Sequence, residues 1–118
     1  EQFKCKQLAD KGIGYGMKSV VIDGNNILEV YNTIKELRDY CITEQKPVLL
    51  ECMTFRMRGH EEASGVKYVP PHLFESWAKK DPLNNYEKYL LENKIISDND
   101  IANYRAENKK YIEDKNKI

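Results

Sequence analysis

Neither sign of charge is in excess in this chain: 19 basic residues stand against 19 acidic ones among 118. Without a basic surplus there is no electrostatic footprint for nucleic acid, and without an acidic surplus no mark of a self-repelling, disordered chain. No apolar run approaches the length that crosses a bilayer, and no charged start with an apolar middle marks a signal peptide. Cysteine is sparse. Cys5, Cys41 and Cys52 form no Cys-x-x-Cys pair and no His/Cys spacing of a zinc site. Cys41 on a helical stripe and Cys52 in a strand read as reduced core thiols of a cytoplasmic compartment. Internal repeats and low-complexity stretches are missing too. There is no initiator methionine, so Glu1 is not expected to be the native start, and the length allows one domain or a piece of a larger one.

What is present reads as strand, helix, strand, then helices. The segment to about Asp10 reads as the end of a helix closing through Gly12 and Gly14. Ser19-Val20-Val21-Ile22-Asp23 is a short continuous apolar run, the pattern of a buried parallel strand. After Gly24, Asn25 or Asn26 can cap a helix, with Glu29 placed for a capping box. Ile27, Val30, Ile34, Leu37 and Cys41, widened by Leu28 and Tyr31, make one apolar face of that helix to about Thr43. Pro47 leads into a second strand, Val48 to about Phe55, apolar on both faces except at Glu51. A parallel crossover is the default geometry for such an order. Beyond a long loop, His72 to Lys79 forms a short helix with Leu73, Phe74 and Trp77 inward. Asp81-Pro82 opens another with Leu83, Tyr86 and Leu90 inward, and Ser97 with Asp100 starts the last, which ends in a polar tail. Two parallel strands leave free edges, so the expectation is the closing part of an α/β domain whose other strands come from elsewhere.

Chemistry concentrates in Thr54-Phe55-Arg56-Met57-Arg58-Gly59-His60, which leaves the second strand for a glycine-containing loop. Arg56 offers a planar fork of donors for phosphate or carboxylate, and His60 can donate, accept or carry a proton near neutrality. On the loop alone, a surface ion pair and a solvated histidine remain an open alternative. Glu51 is expected to make a structural hydrogen bond, with organisation of the loop as the second reading. Trp77 and Phe74 read as core or subunit-contact residues, His72 as structural, and Tyr68 as a loop anchor or simply exposed. The loop Met57 to Pro70 is expected to be mobile without a ligand for its cationic groups.

The order Ile22-Asp23-Gly24-Asn25-Asn26, long helix, Pro47-Val48-Leu49-Leu50-Glu51, Thr54-Phe55-Arg56, Gly59-His60, Trp77 and Asp81-Pro82 resembles the alpha part of thiamine-diphosphate-dependent 2-oxo acid dehydrogenases. These are the decarboxylating components of the pyruvate, branched-chain 2-oxo acid and acetoin dehydrogenase complexes. The resemblance runs from about Gly14 to Ile101, and the aromatic-Arg-x-x-Gly-His element is its specific part. It implies an α/β fold, here the C-terminal portion of a thiamine-diphosphate-binding domain with parallel strands, a crossover helix and C-terminal helices. Residues 1–70 would be the part with the Arg/His loop and residues 71–118 the helical end of the same domain. It further implies that Arg56 contacts the cofactor's diphosphate. His60 would lie beside the diphosphate and the reacting centre as the catalytic residue, ordering the loop and assisting acyl transfer to lipoamide. The cofactors would be thiamine diphosphate and Mg²⁺. The partners would be a beta subunit or fused beta domain, a lipoyl-bearing acyltransferase and a small 2-oxo acid, branched-chain by preference.

Three departures qualify this. The family's Gly-Asp-Gly metal motif is absent, and Asp23-Gly24-Asn25 precedes a different helix, so no metal ligand is assigned in this chain. Glu61-Glu62 follow the loop histidine where mammalian relatives carry a regulatory serine, so that control is not expected here, and Ser64 does not inherit it. The stretch Arg58 to Gly65 is most similar to bacterial enzymes with fused alpha and beta parts. The chain alone is expected to be inactive. A rival expectation is a non-catalytic α/β interaction module that kept only the fold.

Overall fold

The computed structural model describes residues 3–61 and 63–116; Glu62, the second acidic residue after His60, lies outside them, as do residues 1–2 and 117–118. The chain divides into two compact units, Glu1–Pro82 and Leu83–Ile118.

The first unit is α/β. It opens with a 3-10 helix, Leu8–Tyr15, followed by β1 (Lys18–Asp23), α1 (Ile27–Glu44), β2 (Val48–Met53) and α2 (Pro71–Ala78). The first helix does not close through Gly12 and Gly14. It winds on through both and stops at Gly16, whose φ of 67° is left-handed and costs a glycine little. That turn returns the Met17 N–H to the Gly12 carbonyl at 2.9 Å.

β1 and β2 pair in parallel, in a register from Lys18 opposite Val48 to Asp23 opposite Met53. α1 connects them, as the apolar runs and the intervening helical period predict. Asn26 is the cap of α1, accepting from the Glu29 N–H at 3.2 Å. β2 ends at Met53 rather than Phe55. β1 has already turned away at Gly24, whose N–H donates to the Met53 carbonyl at 2.8 Å as the last tie between the strands.

Cover over this sheet is thin. Among the described residues, only Ala9, Ile22 and Leu37 are buried apolar side chains. Two expectations change for that reason. Cys52 is exposed rather than a core thiol, while Cys5 and Cys41 are half-buried; all three are free. The apolar stripe of α1 also divides into two rows. Val30, Leu37 and Cys41 are half-buried or buried, whereas Ile27, Tyr31 and Ile34 are exposed on a second row four and three residues apart. The two rows are adjacent parts of one apolar face, only one edge of which is covered.

The second unit holds α4 (Asp98–Lys115) and all but the first residue of α3 (Pro82–Glu92). Ser97 and Asp100 form the capping box expected at the start of α4, and the helix continues through the polar tail to Lys115. Arg105 donates to both carboxylate oxygens of Glu87, at 3.0 and 2.6 Å, and ties α4 to α3. Tyr86 and Leu90 are half-buried as expected, but Leu83 is exposed, because it opens the helix before its inward row begins. No described helix is long and apolar enough to cross a membrane.

Candidate functional site

In parallel α/β sheets ligands bind outside the carboxyl ends of the strands, because loops leaving there can be varied without disturbing the ladder. β1 and β2 both end on that edge, with Asp23 opposite Met53. The two loops leaving it are Gly24–Asn26 and the long segment from Thr54 to Pro70.

Hydrogen bonds join these loops at their roots. The Asn25 N–H donates to Asp23 Oδ1 at 2.9 Å, an Asx turn that fixes the Asn25 backbone. Thr54 Oγ1 donates to Asn25 Oδ1 at 2.7 Å, and Asn25 Nδ2 donates to the Lys80 carbonyl at 2.9 Å, just past α2. Phe55 is half-buried against α2, with Phe74 and Trp77 around its ring. Arg56 is the next residue, so its backbone leaves a fixed point.

Further along, the loop folds onto itself. The Glu61 N–H donates to Ser64 Oγ at 3.2 Å, and Ser64 Oγ donates to the Glu61 carbonyl at 2.9 Å. Gly59 lies so close to Gly65 that a Cβ there would stand 2.6 Å from the Gly65 carbonyl oxygen. His60 is thus held by its backbone neighbours while its ring stays exposed.

Arg56 and His60, the two residues singled out from the sequence, both lie on this loop and are both exposed. Neither makes a hydrogen bond or ion pair among the described residues, whereas Arg58 is engaged. A guanidinium without a carboxylate partner, at the carboxyl edge of a parallel pair, is suited to an external anion. Among the described residues, no group of three or more His, Cys, Asp or Glu could hold a metal ion.

Glu51 does not reach the loop. Its Oε2 accepts from the Ala9 N–H at 2.8 Å and so satisfies a backbone donor at the start of the 3-10 helix, a structural role. Phe74 and Trp77 serve as the bed for Phe55, and Tyr68 is exposed. Sequence reasoning missed Asn25 and Thr54 as partners. The tandem Asn25-Asn26 was a weak signal, because one helix needs only one cap.

A shallow groove of about 490 Å³ also runs along α1, lined by Ile27, Val30, Tyr31 and Ile34 with Gly24 and Arg38 at its ends. Its walls are nearly all apolar, which suits packing against protein rather than holding a reacting ion.

Comparison with known proteins gives a consistent result. A family profile described as "Dehydrogenase E1 component" matches residues 1–118. The 2-oxoisovalerate dehydrogenase subunit alpha 1 of Arabidopsis thaliana mitochondria is 34% identical over 95% of this chain and 24% of its own length. The 2-oxoisovalerate dehydrogenase subunit alpha of Bacillus subtilis is 35% identical over 83% of this chain and 30% of its own. A putative 2-dehydropantoate 2-reductase of Arabidopsis thaliana is 32% identical over 95% and 31%. The chain therefore spans about a quarter to a third of the length of these relatives.

Proposed function

Because this chain belongs to the dehydrogenase E1 component family, as an alpha-subunit region of a 2-oxo acid dehydrogenase, we propose that it forms part of a decarboxylating component acting on branched-chain 2-oxo acids with thiamine diphosphate. The observation that carries this reading is the Arg56 guanidinium at the carboxyl edge of β2, without a partner among the described residues and followed four residues later by an exposed His60. The names of the 2-oxoisovalerate dehydrogenase relatives favour the branched-chain class.

In this reading Arg56 would hold the diphosphate of the cofactor through paired, charge-assisted hydrogen bonds. Thiamine diphosphate, when bound, would supply the electron sink for decarboxylation of a 2-oxo acid. His60 would lie on the same loop near that anion, where its exposed imidazole could donate or accept a proton during acyl transfer to lipoamide. Arg56 and His60 are donors suited to an anion, and without the Gly-Asp-Gly motif no residue of this chain is assigned to Mg²⁺. A beta subunit or fused beta domain would complete the site, and a lipoyl-bearing acyltransferase would receive the product. The exposed apolar row of α1, Ile27, Tyr31 and Ile34, suits burial within such an assembly. Three free cysteines accord with a reducing compartment such as the cytoplasm.

The test is dye reduction by the full-length protein, supplied with thiamine diphosphate and Mg²⁺, across a panel of 2-oxo acids. Preferential oxidation of branched-chain substrates is the expected outcome. Failure of every substrate with the cofactor demonstrably bound would leave a non-catalytic interaction module.

A further inference from the structure

We infer that Asn25 is a positioning residue that staples both roots of the segment carrying Arg56 and His60, an inference that rests on Arg56 facing the cofactor's diphosphate. The segment leaves the sheet at Thr54 and is back beside it at Lys80, after α2. One side chain touches it at both places: Asn25 Oδ1 accepts from Thr54 Oγ1 at 2.7 Å, and Asn25 Nδ2 donates to the Lys80 carbonyl at 2.9 Å. An amide is suited to this position because it offers an acceptor at one end and a donor at the other. A carboxylate there would face the Lys80 carbonyl with no proton to give, and a hydroxyl is too short to span both partners.

The staple is itself fixed from the strand side, by the Asn25 N–H on Asp23 Oδ1 at 2.9 Å. Its work is separate from helix capping, because Asn26 alone accepts from the Glu29 N–H to start α1. Removing the Asn25 side chain should therefore leave α1 and the strand pairing in place while loosening the roots of the loop. Thr54 is two residues before Arg56, and Phe55 between them is packed on α2. A guanidinium held by so short a tether meets an anion with little ordering left to do, which is where the staple contributes to affinity.

A double-mutant cycle on the full-length protein in its complete assembly tests this, with thiamine diphosphate titrated at saturating Mg²⁺. Arg56→Ala is expected to raise the Kd about tenfold or more, and Asn25→Ala about threefold to tenfold. The double variant should be no weaker than Arg56→Ala alone, because a residue acting through Arg56 has nothing left to position. Equal losses from Asn25→Ala in both backgrounds, or no loss at all, would overturn the staple and leave the Arg56 assignment standing. Unchanged binding in Arg56→Ala would overturn both. Thr54→Val, which removes the donor to Asn25 at nearly constant volume, carries the same cycle if Asn25→Ala fails to assemble. Faster amide exchange over residues 55–60 in either variant, with β1 and α1 unchanged, is the accompanying structural signature.

Discussion

Phe55 lies flat against Trp77, with ring centroids 5.6 Å apart and planes 10° from parallel, while Phe74 meets it edge-on at 5.5 Å. The last apolar residue before Arg56 is therefore docked on the helix that follows the loop. Phe55→Ala removes the ring and both aromatic contacts, and for this half-buried position the expected loss is about 2 kcal/mol of stability. Phe55→Leu keeps most of the apolar contact but not the stacking, so its loss should be about 1 kcal/mol. Denaturant unfolding of the full-length protein measures both. Equal losses would mean that the stacking geometry, rather than apolar area, dominates the site.

Gly59→Ala tests the fold of the loop itself. The new Cβ would meet the Gly65 carbonyl oxygen, a backbone atom that cannot swing aside as a side chain can. The expected strain is about 1–3 kcal/mol, relieved by opening the turn that Glu61 and Ser64 close. Thiamine diphosphate affinity should fall while the thermal midpoint hardly moves, since the loop is a local unit at the surface. An unchanged affinity would mean that the closed turn is not needed for cofactor binding.

The legible part of this fold was periodicity and caps. β1, α1 and the Ser97–Asp100 box follow from apolar spacing and from residues that satisfy their own neighbours' backbone groups. Arg56 and His60 stood out because their chemistry is written in their identity. Whether a side chain is covered was not legible. Cys52, Ile27 and Ile34 have core-like patterns yet stand exposed, because burial depends on surfaces that sequence spacing does not name. The tie that Asn25 makes to Thr54 and Lys80 was hidden for a related reason. Its partners lie 29 and 55 residues away, and such contacts arise only once the strands pair.

Ser97 holds the Asp100 carboxyl below the usual carboxylate range, first through its hydroxyl and then through its backbone N–H. The folded pKa therefore lies below the unfolded value of about 3.9. Asp100's contribution to the start of α4 is complete above that value and is lost as pH falls through the lower, folded pKa. A carboxyl titration followed by NMR should show Asp100 below its model-peptide value in the wild type and returned toward it in Ser97→Ala. The same low value in both proteins would rule out the capping box as its cause.

Ligand binding should order the Arg56 loop. Its described backbone bonds beyond Gly59 are the turns Ser64 N–H to Glu61 and Val69 N–H to Val66, at 3.2 and 2.9 Å, with no ladder to share load. Thiamine diphosphate with Mg²⁺ is expected to slow amide exchange over residues 57–70 about tenfold or more in the full-length protein, with β1 and β2 unaffected. Thiamine without phosphate should not protect it, because Arg56 would then have no anion. Equal protection by both ligands would move the diphosphate contact away from Arg56.

His60 allows two roles to be separated by experiment. Its ring is exposed and unpartnered among the described residues, so either nitrogen can meet an incoming group. If it serves acyl transfer, His60→Ala should depress lipoamide acylation about 100-fold while dye reduction, which bypasses lipoamide, falls far less. His60→Asn keeps a hydrogen-bonding group but cannot exchange a proton near neutrality. Recovery of acylation in His60→Asn would make the residue a positioning group, whereas continued loss would point to proton transfer. If dye reduction falls as far as acylation in His60→Ala, the histidine acts before the acyl group leaves, and its assignment to the transfer step is wrong.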